Sequence, residues 1–231
     1  MRNEILIICP TRERGHKLLD LYQCWEQTQN GHSELLIAID DDNVNEYQKV
    51  INENKLERLH VEINPRAWMV NVLNLVANKW KNKYRYLGFI GDDHRFRTDN
   101  WDEIFIEYFK SRWDKAIIYG NDLLQGPNLP TAVFLPSKIV SALGFMAPTQ
   151  LRHMYADNFW KDLGQCLGWL KYFPDVVVEH MHYCKGKSES DAIYQHVNSP
   201  SVTGPDSRAY KDYKNNHLRS DAEKVIQIYA H

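Results

Sequence analysis

The sequence has few cysteines, and their spacing indicates neither a disulfide framework nor a metal site. Cys9, Cys24, Cys166 and Cys184 form no CxxC pair and match no metal-ligand spacing. Disulfide-rich domains belong to oxidising compartments, whereas scattered single cysteines are typical of reduced thiols. The cysteine pattern therefore predicts a cytoplasmic protein.

Long apolar runs and a strong excess of one charge are also missing. No run approaches the ~20 apolar residues that a transmembrane helix needs, so we expect no transmembrane segment. The run Ile5–Cys9 is too short for the core of a signal peptide and indicates a strand. With 28 basic and 30 acidic residues, the net charge is −2. This balance argues against a broad nucleic-acid surface, while a nucleic-acid acceptor in a local groove stays open.

Three common glycine motifs are absent as well. The chain contains no GxxxxGK[ST], no GxGxxG after its first strand and no GxSxG. These glycines form the loops that hold phosphates, dinucleotide cofactors or a nucleophilic serine. Their absence argues against P-loop, dinucleotide-binding and α/β-hydrolase proteins.

The first half of the chain alternates between strand-like apolar runs and helix-like apolar spacing. Four short runs predict strands, and residues that recur every three or four positions predict a helix between each successive pair. The order β-α-β-α-β-α-β is typical of a mostly parallel sheet with helices on both faces, so we predict an α/β, Rossmann-like nucleotide-binding fold. The predicted strands are Ile5–Cys9, Leu35–Ile39, His60–Ile63 and Tyr86–Ile90.

The second half is less regular. From 185 to 216 the chain is polar and rich in Ser, Gly, Asn and Pro, which predicts a long loop of the kind that forms a lid or stays disordered. A last helix is predicted at 219–229. The other predicted elements are helices at 101–112, 137–143 and 155–170, and strands near 116–119, 132–135 and 175–179.

Polar residues follow three of the predicted strands where each strand ends. The segments are Pro10–Arg14, Asp40–Asn43 and Gly91–His94. In open α/β sheets, ligands bind outside the carboxyl ends of the strands. We therefore expect these three segments to converge on one ligand crevice.

Asp92 and Asp93 place two carboxylates where the fourth strand enters that crevice. Adjacent acids repel, and a bound Mg²⁺ or Mn²⁺ relieves the repulsion while bridging to substrate phosphates. Aspartates also favour turns and helix caps, but the strand-end position favours the metal. His180 and His182 follow a predicted strand at alternate positions, so they share a face, and one or both could complete a carboxylate–imidazole site.

Asp157 and Lys187 each have a functional and a purely structural interpretation. Asp157 lies near the start of a helix, either as an acid favoured by the helix dipole or as a general base facing the crevice. Lys187 either offers a cation to a diphosphate or belongs to a solvated loop. Both pairs of alternatives stay open on this reasoning.

Together these residues resemble the GT-A fold glycosyltransferases, particularly those of family 2. The likeness covers about the first 110 residues well and continues more loosely to about residue 195. The run Pro10-Thr11-Arg12-Glu13-Arg14 is similar to the family's opening Pro-Thr-x-Asn-Arg element. The resemblance implies that Pro10, Thr11, Arg12 and Arg14 contact the nucleoside of a donor.

Two further donor contacts are implied by the same resemblance. The acidic end of the second strand is similar to the family's Asp-Asp-x-Ser, in which a carboxylate reads the base, and Asp40, Asp41 and Asp42 all remain candidates for that role. Asn71 lies in a helix like the one that bears the family's Asn-containing motif. Arg66, just before that helix, is an implied donor contact.

The Gly91-Asp92-Asp93-His94 run occupies the place of the family's Asp-x-Asp motif. The resemblance implies that Asp93 ligates Mn²⁺ or Mg²⁺, with His182 or His180 as the downstream ligand. It implies that Asp92 contacts the ribose or a metal-bound water, and His94 has no assigned role.

Asp157 matches a later Glu-Asp element of the family, with Ala156 in place of the Glu. The match implies that Asp157 is the catalytic base of an inverting, direct displacement. Lys187 falls in the implied lid, residues 185–194, and is an implied donor contact.

The resemblance implies one GT-A-like domain over residues 1–231. It comprises a nucleotide-sugar-binding half (1–112), an acceptor and metal half (113–184), and a lid loop with a C-terminal helix (185–231). The implied donor is a nucleotide sugar, with a UDP type favoured, and the acceptor is a hydroxyl group of a glycan, a lipid-linked glycan, a protein or a modified nucleobase. Two alternatives stay open, namely a sugar nucleotidyltransferase and a non-catalytic nucleotide- or sugar-binding protein.

Overall fold

The computed structural model of the protein describes residues 4–230. Within this range, eight strands form a continuous sheet in the spatial order 3-2-1-4-7-6-8-5. The strands are β1 (Ile5–Thr11), β2 (Ser33–Asp40), β3 (Leu59–Asn64), β4 (Tyr86–Phe89), β5 (His94–Phe96), β6 (Ile117–Asn121), β7 (Val133–Pro136) and β8 (Leu170–His180).

Helices flank this sheet. Among residues 4–230, no helix is long and apolar enough to cross a bilayer. The helices are α1 (Gly15–Thr28), α2 (Val44–Asn54), α3 (Met69–Trp80), α4 (Trp101–Ser111), α5 (Ser137–Leu143), α6 (Ala156–Leu167), α7 (Ala192–Val197), α8 (Pro200–Asn216) and α9 (Leu218–Ile228).

The first four strands are mutually parallel. β1 pairs with β2 on one side and β4 on the other, and β2 pairs with β3. The residues of β1 from Ile5 to Cys9 are all fully buried, as expected for a strand covered by helices on both faces. The predicted α/β fold with a mostly parallel sheet is confirmed.

The second half extends the sheet with mixed pairing. β7 lies antiparallel to β4 and β6, whereas β8 runs parallel to β6 and antiparallel to β5. An irregularity shifts the β6–β8 register after Gly120. A Cβ on Gly120 would lie 2.4 Å from the backbone oxygen of Val176, so the close approach of the strands requires glycine there. Beyond this irregularity β8 pairs with β5, which sets His180 opposite His94.

Two apolar cores lie on the two faces of the sheet. Side chains of β1 alternate between them, with Leu6 and Ile8 in one and Ile5 and Ile7 in the other. The first core also contains Val225 and other buried side chains of α8 and α9. The C-terminal helices therefore complete a core of the protein.

The structure corrects the predicted loop at 185–216. A short helix and the 17-residue helix α8 occupy much of that segment. Pro200 stands in the first turn of α8, where its missing N–H costs nothing. Val202, Asp206, Tyr210 and Tyr213 lie buried along one face, so packing stabilises a helix whose composition resembles a loop.

Two smaller differences concern the elements around the site. The helix predicted at 155–170 ends at Leu167, because Gly168 takes a left-handed conformation with φ 67°, and Leu170 already begins β8. The three-residue strand β5 was not predicted, since so short a segment has no recognisable period.

Candidate active site

The carboxyl ends of β1, β2 and β4 open into one cavity of 1210 Å³. As predicted from the strand order, parts of all three polar strand-end segments line it. Side chains of the second half form the opposite wall. The sequence-predicted site residues on its surface are Pro10, Thr11, Arg12, Arg14, Asp40, Arg66, Asp92, Asp93, Asp157, His180 and His182.

Asp92 is held by the last residue of β1 and by the loop that follows it. Thr11 Oγ1 donates to Asp92 Oδ2 at 2.7 Å, and Arg14 Nη1 donates to Asp92 Oδ1 at 3.0 Å. Tyr47 supports Thr11 from beneath through a 2.8 Å contact between their hydroxyl groups. Burial, partly offset by Arg14, and the adjacent charge of Asp93 raise the pKa of Asp92.

Asp93 forms a cluster with two histidines. Its Oδ2 lies 3.3 Å from His180 Nε2, and its Oδ1 lies 3.5 Å from His94 Nδ1. The two imidazole rings stack at 4.4 Å between centroids. Although burial opposes it, contact with His180 and His94 lowers the pKa of Asp93 well below its usual range. Asp93 is therefore a buried carboxylate between two imidazoles.

Hydrogen bonds on both ring nitrogens set the orientation of His94. Its Nδ1 accepts from the Gly91 backbone N–H at 3.0 Å, and its Nε2 lies 3.3 Å from Thr131 Oγ1. Thr131 in turn donates to Asp122 Oδ2 at 2.8 Å. Because Nδ1 accepts, the ring proton sits on Nε2. Asp122 thereby fixes the His94 ring from the far side.

The cluster has the donor set of a divalent-metal site. Asp93, His94 and His180 each bring a ligand atom within 4.8 Å of the others. His180 Nδ1 is buried and has no hydrogen-bond partner among the described residues. One carboxylate oxygen with imidazole nitrogens can hold a divalent transition-metal ion, so these residues are compatible with Mn²⁺, one of the two predicted metals.

His182 lies beside this cluster rather than within it. Its Nδ1 accepts from the Cys184 backbone N–H at 3.3 Å, and its ring packs edge-on against His180 at 5.0 Å. Of the two histidines considered from the sequence, His180 is the one placed against Asp93. His94, which the sequence left unassigned, joins it because β5 pairs with β8.

At the β1 and β2 ends of the cavity, Arg12 connects two acids. Its Nη1 donates to Asp40 Oδ2 at 2.8 Å, and both its terminal nitrogens contact Asp42. Arg66 approaches Asp42 at 3.6 Å from the other side. Of the three acids considered for reading the base, Asp40 lines the cavity, whereas Asp42 is exposed and contacts the cavity residue Arg12 from outside the wall.

Three predicted donor contacts lie away from the cavity wall. Asp41 and Asn71 are exposed and do not line the cavity. Lys187 also lies off the wall and donates to Glu179 Oε1 at 2.6 Å. The structure therefore places none of these three residues on the cavity wall.

Asp157 stands in the first turn of α6, on the opposite wall from the β1 loop. Burial raises the pKa of its carboxyl group, although the Asn158 backbone N–H donates to Oδ1 at 2.8 Å. Nearby His153 also lines the cavity, and burial lowers its pKa to about 4. No sequence signal distinguished His153 from other histidines of the chain.

The segment at 191–197 reaches into the site. Asp191 contacts Arg14, and the hydroxyl group of Tyr194 donates to Asp93 Oδ2. Neither residue was singled out from the sequence. The available signal was the N-cap position of Asp191, whose side chain accepts from the Tyr194 N–H at the start of α7.

No protein-family model matches the chain, and no curated protein matches it. Solved structures do match in three dimensions. TarS from S. aureus in complex with UDP has a TM-score of 0.60 at 9% identity, over 76% of this chain and 59% of that one. The mannosyltransferase PcManGT from Pyrobaculum calidifontis, in complex with GDP-Man and Mn²⁺, has a TM-score of 0.60 at 10% identity, over 100% of this chain and 76% of that one.

A cytidylyltransferase from Leptospira borgpetersenii also matches, with a TM-score of 0.53 at 10% identity over 75% of this chain and 76% of that one. At such low identities the likeness concerns the fold. The matches to TarS and PcManGT show that this chain has the GT-A fold. It spans about three fifths of the TarS chain that it matches.

Proposed function

We propose that the protein is a metal-dependent glycosyltransferase that moves a sugar from a nucleotide-diphosphate donor to an acceptor hydroxyl group, with inversion. The observation that carries this proposal is the Asp93–His94–His180 cluster at the end of β4. The same cavity holds the Arg12–Asp40 pair on one wall and Asp157 on the other. The residues proposed to bind the nucleotide, to bind the metal and to act as the general base thus line one cavity.

Asp93 and His180 are the proposed ligands of Mn²⁺ or Mg²⁺, and His94 would supply a third ligand atom, the second nitrogen, if its Nδ1 were released from the Gly91 N–H. When bound, the ion neutralises charge that develops on the leaving diphosphate. Arg14, a buried guanidinium in contact with Asp92, is placed to bind phosphate oxygens. We propose a UDP-type donor and a cytoplasmic location, in keeping with the four free cysteines.

Asp157 is the proposed general base. A carboxylate that burial makes more basic accepts a hydroxyl proton more readily than an exposed one. It lies in the first turn of α6, so the helix N-terminus favours its ionised form.

A thermal-shift panel tests the proposal. UDP, GDP, CDP and their sugars are added with and without Mn²⁺, and we expect one nucleotide to raise the melting temperature only when Mn²⁺ is present. Asp93→Asn should abolish the Mn²⁺-dependent part, whereas the exposed control Asp99→Asn should keep it. Absence of a shift with every nucleotide would refute the glycosyltransferase proposal.

The structural match to a cytidylyltransferase favours one second candidate, a sugar nucleotidyltransferase. Such an enzyme would take a nucleoside triphosphate and a sugar phosphate and release pyrophosphate. The two candidates separate in a product assay. Release of a nucleoside diphosphate from a nucleotide sugar supports the glycosyltransferase, and pyrophosphate release from a triphosphate with a sugar phosphate supports the alternative.

A further inference from the structure

The Asp191 carboxylate is paired with the cationic side chains that would bind a diphosphate. Arg14 Nε and Nη2 donate to the two Asp191 carboxylate oxygens, each at 2.8 Å. Lys17 Nζ lies 3.6 Å from the same carboxylate, and this buried ammonium has no hydrogen-bond partner among the described residues. A forked guanidinium with an adjacent ammonium is an arrangement that binds phosphate oxygens. Asp191 therefore stands where an anionic ligand would be expected.

The Tyr194 hydroxyl group is hydrogen-bonded to the carboxylate that would bind a metal. Its hydroxyl group donates to Asp93 Oδ2, the same oxygen that faces His180 Nε2. Its ring lies under the Arg14 guanidinium, 4.2 Å from the carbon of that group to the ring centroid. One phenol thus contacts both the proposed metal ligand and the proposed phosphate-binding side chain.

A third contact fixes the far end of the same helix. The His196 and Trp68 rings stack in parallel, with centroids 5.7 Å apart and planes inclined by 8°. Trp68 caps α3 and lines the cavity. Residues 191–197, which we call the latch segment, are therefore attached at both walls of the cavity.

We propose that the latch segment is autoinhibitory and competes with the metal and the nucleoside diphosphate for one place. This inference rests on the proposed function of the site. The Asp191 carboxylate takes the place that the diphosphate would take, and the Tyr194 hydroxyl group is hydrogen-bonded to Asp93, which would bind the metal. The metal and the diphosphate must therefore each displace a contact of the latch segment. The latch segment leaves the site when metal and diphosphate bind together.

The attachment is small enough to be released. α7 has six residues, and only Tyr194 and Val197 of them are buried. Segments with few buried apolar contacts open at low free-energy cost relative to global unfolding. The ion pair of Asp191 with Arg14 exchanges for pairs with phosphate oxygens, so release does not leave Arg14 unpaired.

Two conservative variants test the latch. Tyr194→Phe keeps the ring beneath Arg14 and removes the contact with Asp93. Asp191→Asn removes the charge, while asparagine preserves a side chain suited to the N-cap. The control Tyr183→Phe removes a hydroxyl group from a ring packed on Tyr194, 4.9 Å away. Circular dichroism and melting temperature verify that each variant is folded.

Mn²⁺ alone, titrated by electron paramagnetic resonance, is the first probe. We expect Tyr194→Phe to bind Mn²⁺ about two- to tenfold more tightly than wild type, because loss of one hydrogen bond frees Asp93. Tyr183→Phe should bind as wild type does. Equal or weaker Mn²⁺ binding by Tyr194→Phe would overturn the latch.

UDP in the presence of saturating Mn²⁺, titrated by calorimetry, is the second probe. We expect Asp191→Asn to bind UDP more tightly than wild type, and weaker or equal binding would count against the latch. If no protein binds any nucleotide but Tyr194→Phe still gains Mn²⁺ affinity, the proposed function fails and the competition for Asp93 stands. If nucleotides bind and neither variant gains affinity, the latch fails and the proposed function stands.

Discussion

At Gly91, side-chain atoms of Asp93 and His94 fill the space that a Cβ atom would occupy. An ideal Cβ there would lie 2.7 Å from Asp93 Oδ1 and 3.2 Å from His94 Nδ1. The glycine lets both side chains turn back over the backbone at the end of β4. The proposed metal cluster thus depends on a residue that supplies no ligand.

Gly91→Ala should weaken Mn²⁺ binding about tenfold or more, because the added methyl group pushes the Asp93 carboxylate out of place. Titration of Mn²⁺ by electron paramagnetic resonance measures the change. Gly144→Ala is the control, since Gly144 has φ 81° with open space around it. That variant should lose stability through backbone strain and keep its Mn²⁺ affinity. Unchanged Mn²⁺ affinity in Gly91→Ala would contradict the prediction.

Asp157→Asn should lower kcat about 100-fold or more and leave nucleotide binding unchanged, because the amide cannot accept the acceptor proton. Burial raises the pKa of Asp157 above its usual 3.8, so the acid limb of wild-type kcat/KM should lie above that pH. Asp162→Asn, in the same helix but off the cavity wall, is the matched control and should retain activity. A pH profile with UDP release as the readout decides between the outcomes.

His153 should make the protein less stable in mild acid. Its pKa falls from 6.5 to about 4 on burial, so the unfolded chain binds the proton more tightly than the folded one. The stabilising effect is present above pH 6.5 and is lost as the pH falls towards 4. Between pH 7 and pH 5 this loss amounts to about 1–2 kcal/mol of the free energy of unfolding. Urea denaturation at both pH values should show a smaller loss in His153→Gln, and equal losses would refute the role of His153.

For individual residues, the sequence was sufficient to predict those that lie just after the end of a strand. Asp93 lies directly after a buried apolar run, so its arrival in the crevice needed only the α/β alternation. His94 could not be assigned, because its role depends on the pairing of β5 with β8 across 86 positions of sequence, with His94 opposite His180. Tyr194 was missed for the same reason, since it meets Asp93 only through the tertiary fold.

Among the elements, α8 joins the floor of the cavity to the C-terminal core. Asp206, buried within this helix, accepts from the backbone N–H groups of Arg152, His153 and Met154 at 3.1, 2.9 and 2.7 Å. These bonds hold the loop that leads to Asp157. The position of Asp157, the proposed general base, is thereby coupled to a helix far along the chain.

Asp206→Ala should lower the free energy of unfolding by about 2–3 kcal/mol or more, because three backbone donors lose a charged acceptor. The exposed Asp212 of the same helix provides the control, and Asp212→Ala should change stability by about 0.5 kcal/mol or less. Chemical denaturation of both variants measures the difference. Similar stabilities for the two would show that the Asp206 bonds contribute little.

The sequence misled at α8 because composition and period point in opposite directions. Pro200, Ser201, Gly204 and Pro205 are loop formers, and they lie in its first half. The buried positions 202, 206, 210 and 213 recur at helical spacing, yet valine, aspartate and two tyrosines do not form an obvious apolar stripe. Packing against the first core decides the outcome, and that information is not local.

On the scale of the whole molecule, the last helix contributes to the core beneath the site. Val225 is fully buried in the first core, whereas its neighbour Ile226 is 49% exposed. Val225→Ala should destabilise the protein by about 1–3 kcal/mol, and Ile226→Ala by about 0.5 kcal/mol or less. Thermal and urea unfolding provide the comparison. Equal effects would mean that α9 is not an integral part of the core.

The proposed metal ligands come from distant parts of the chain, with Asp93 and His180 separated by 87 positions. Asp93 lies in the segment between β4, the last strand of the parallel part of the sheet, and β5, whereas His180 ends β8 in the second part. An ion held by both would act as a reversible cross-link between the two parts, so its binding free energy would add to the stability of their joint fold. Removal of the ion by a chelator would then destabilise the association of the two parts of the sheet as well as abolish activity.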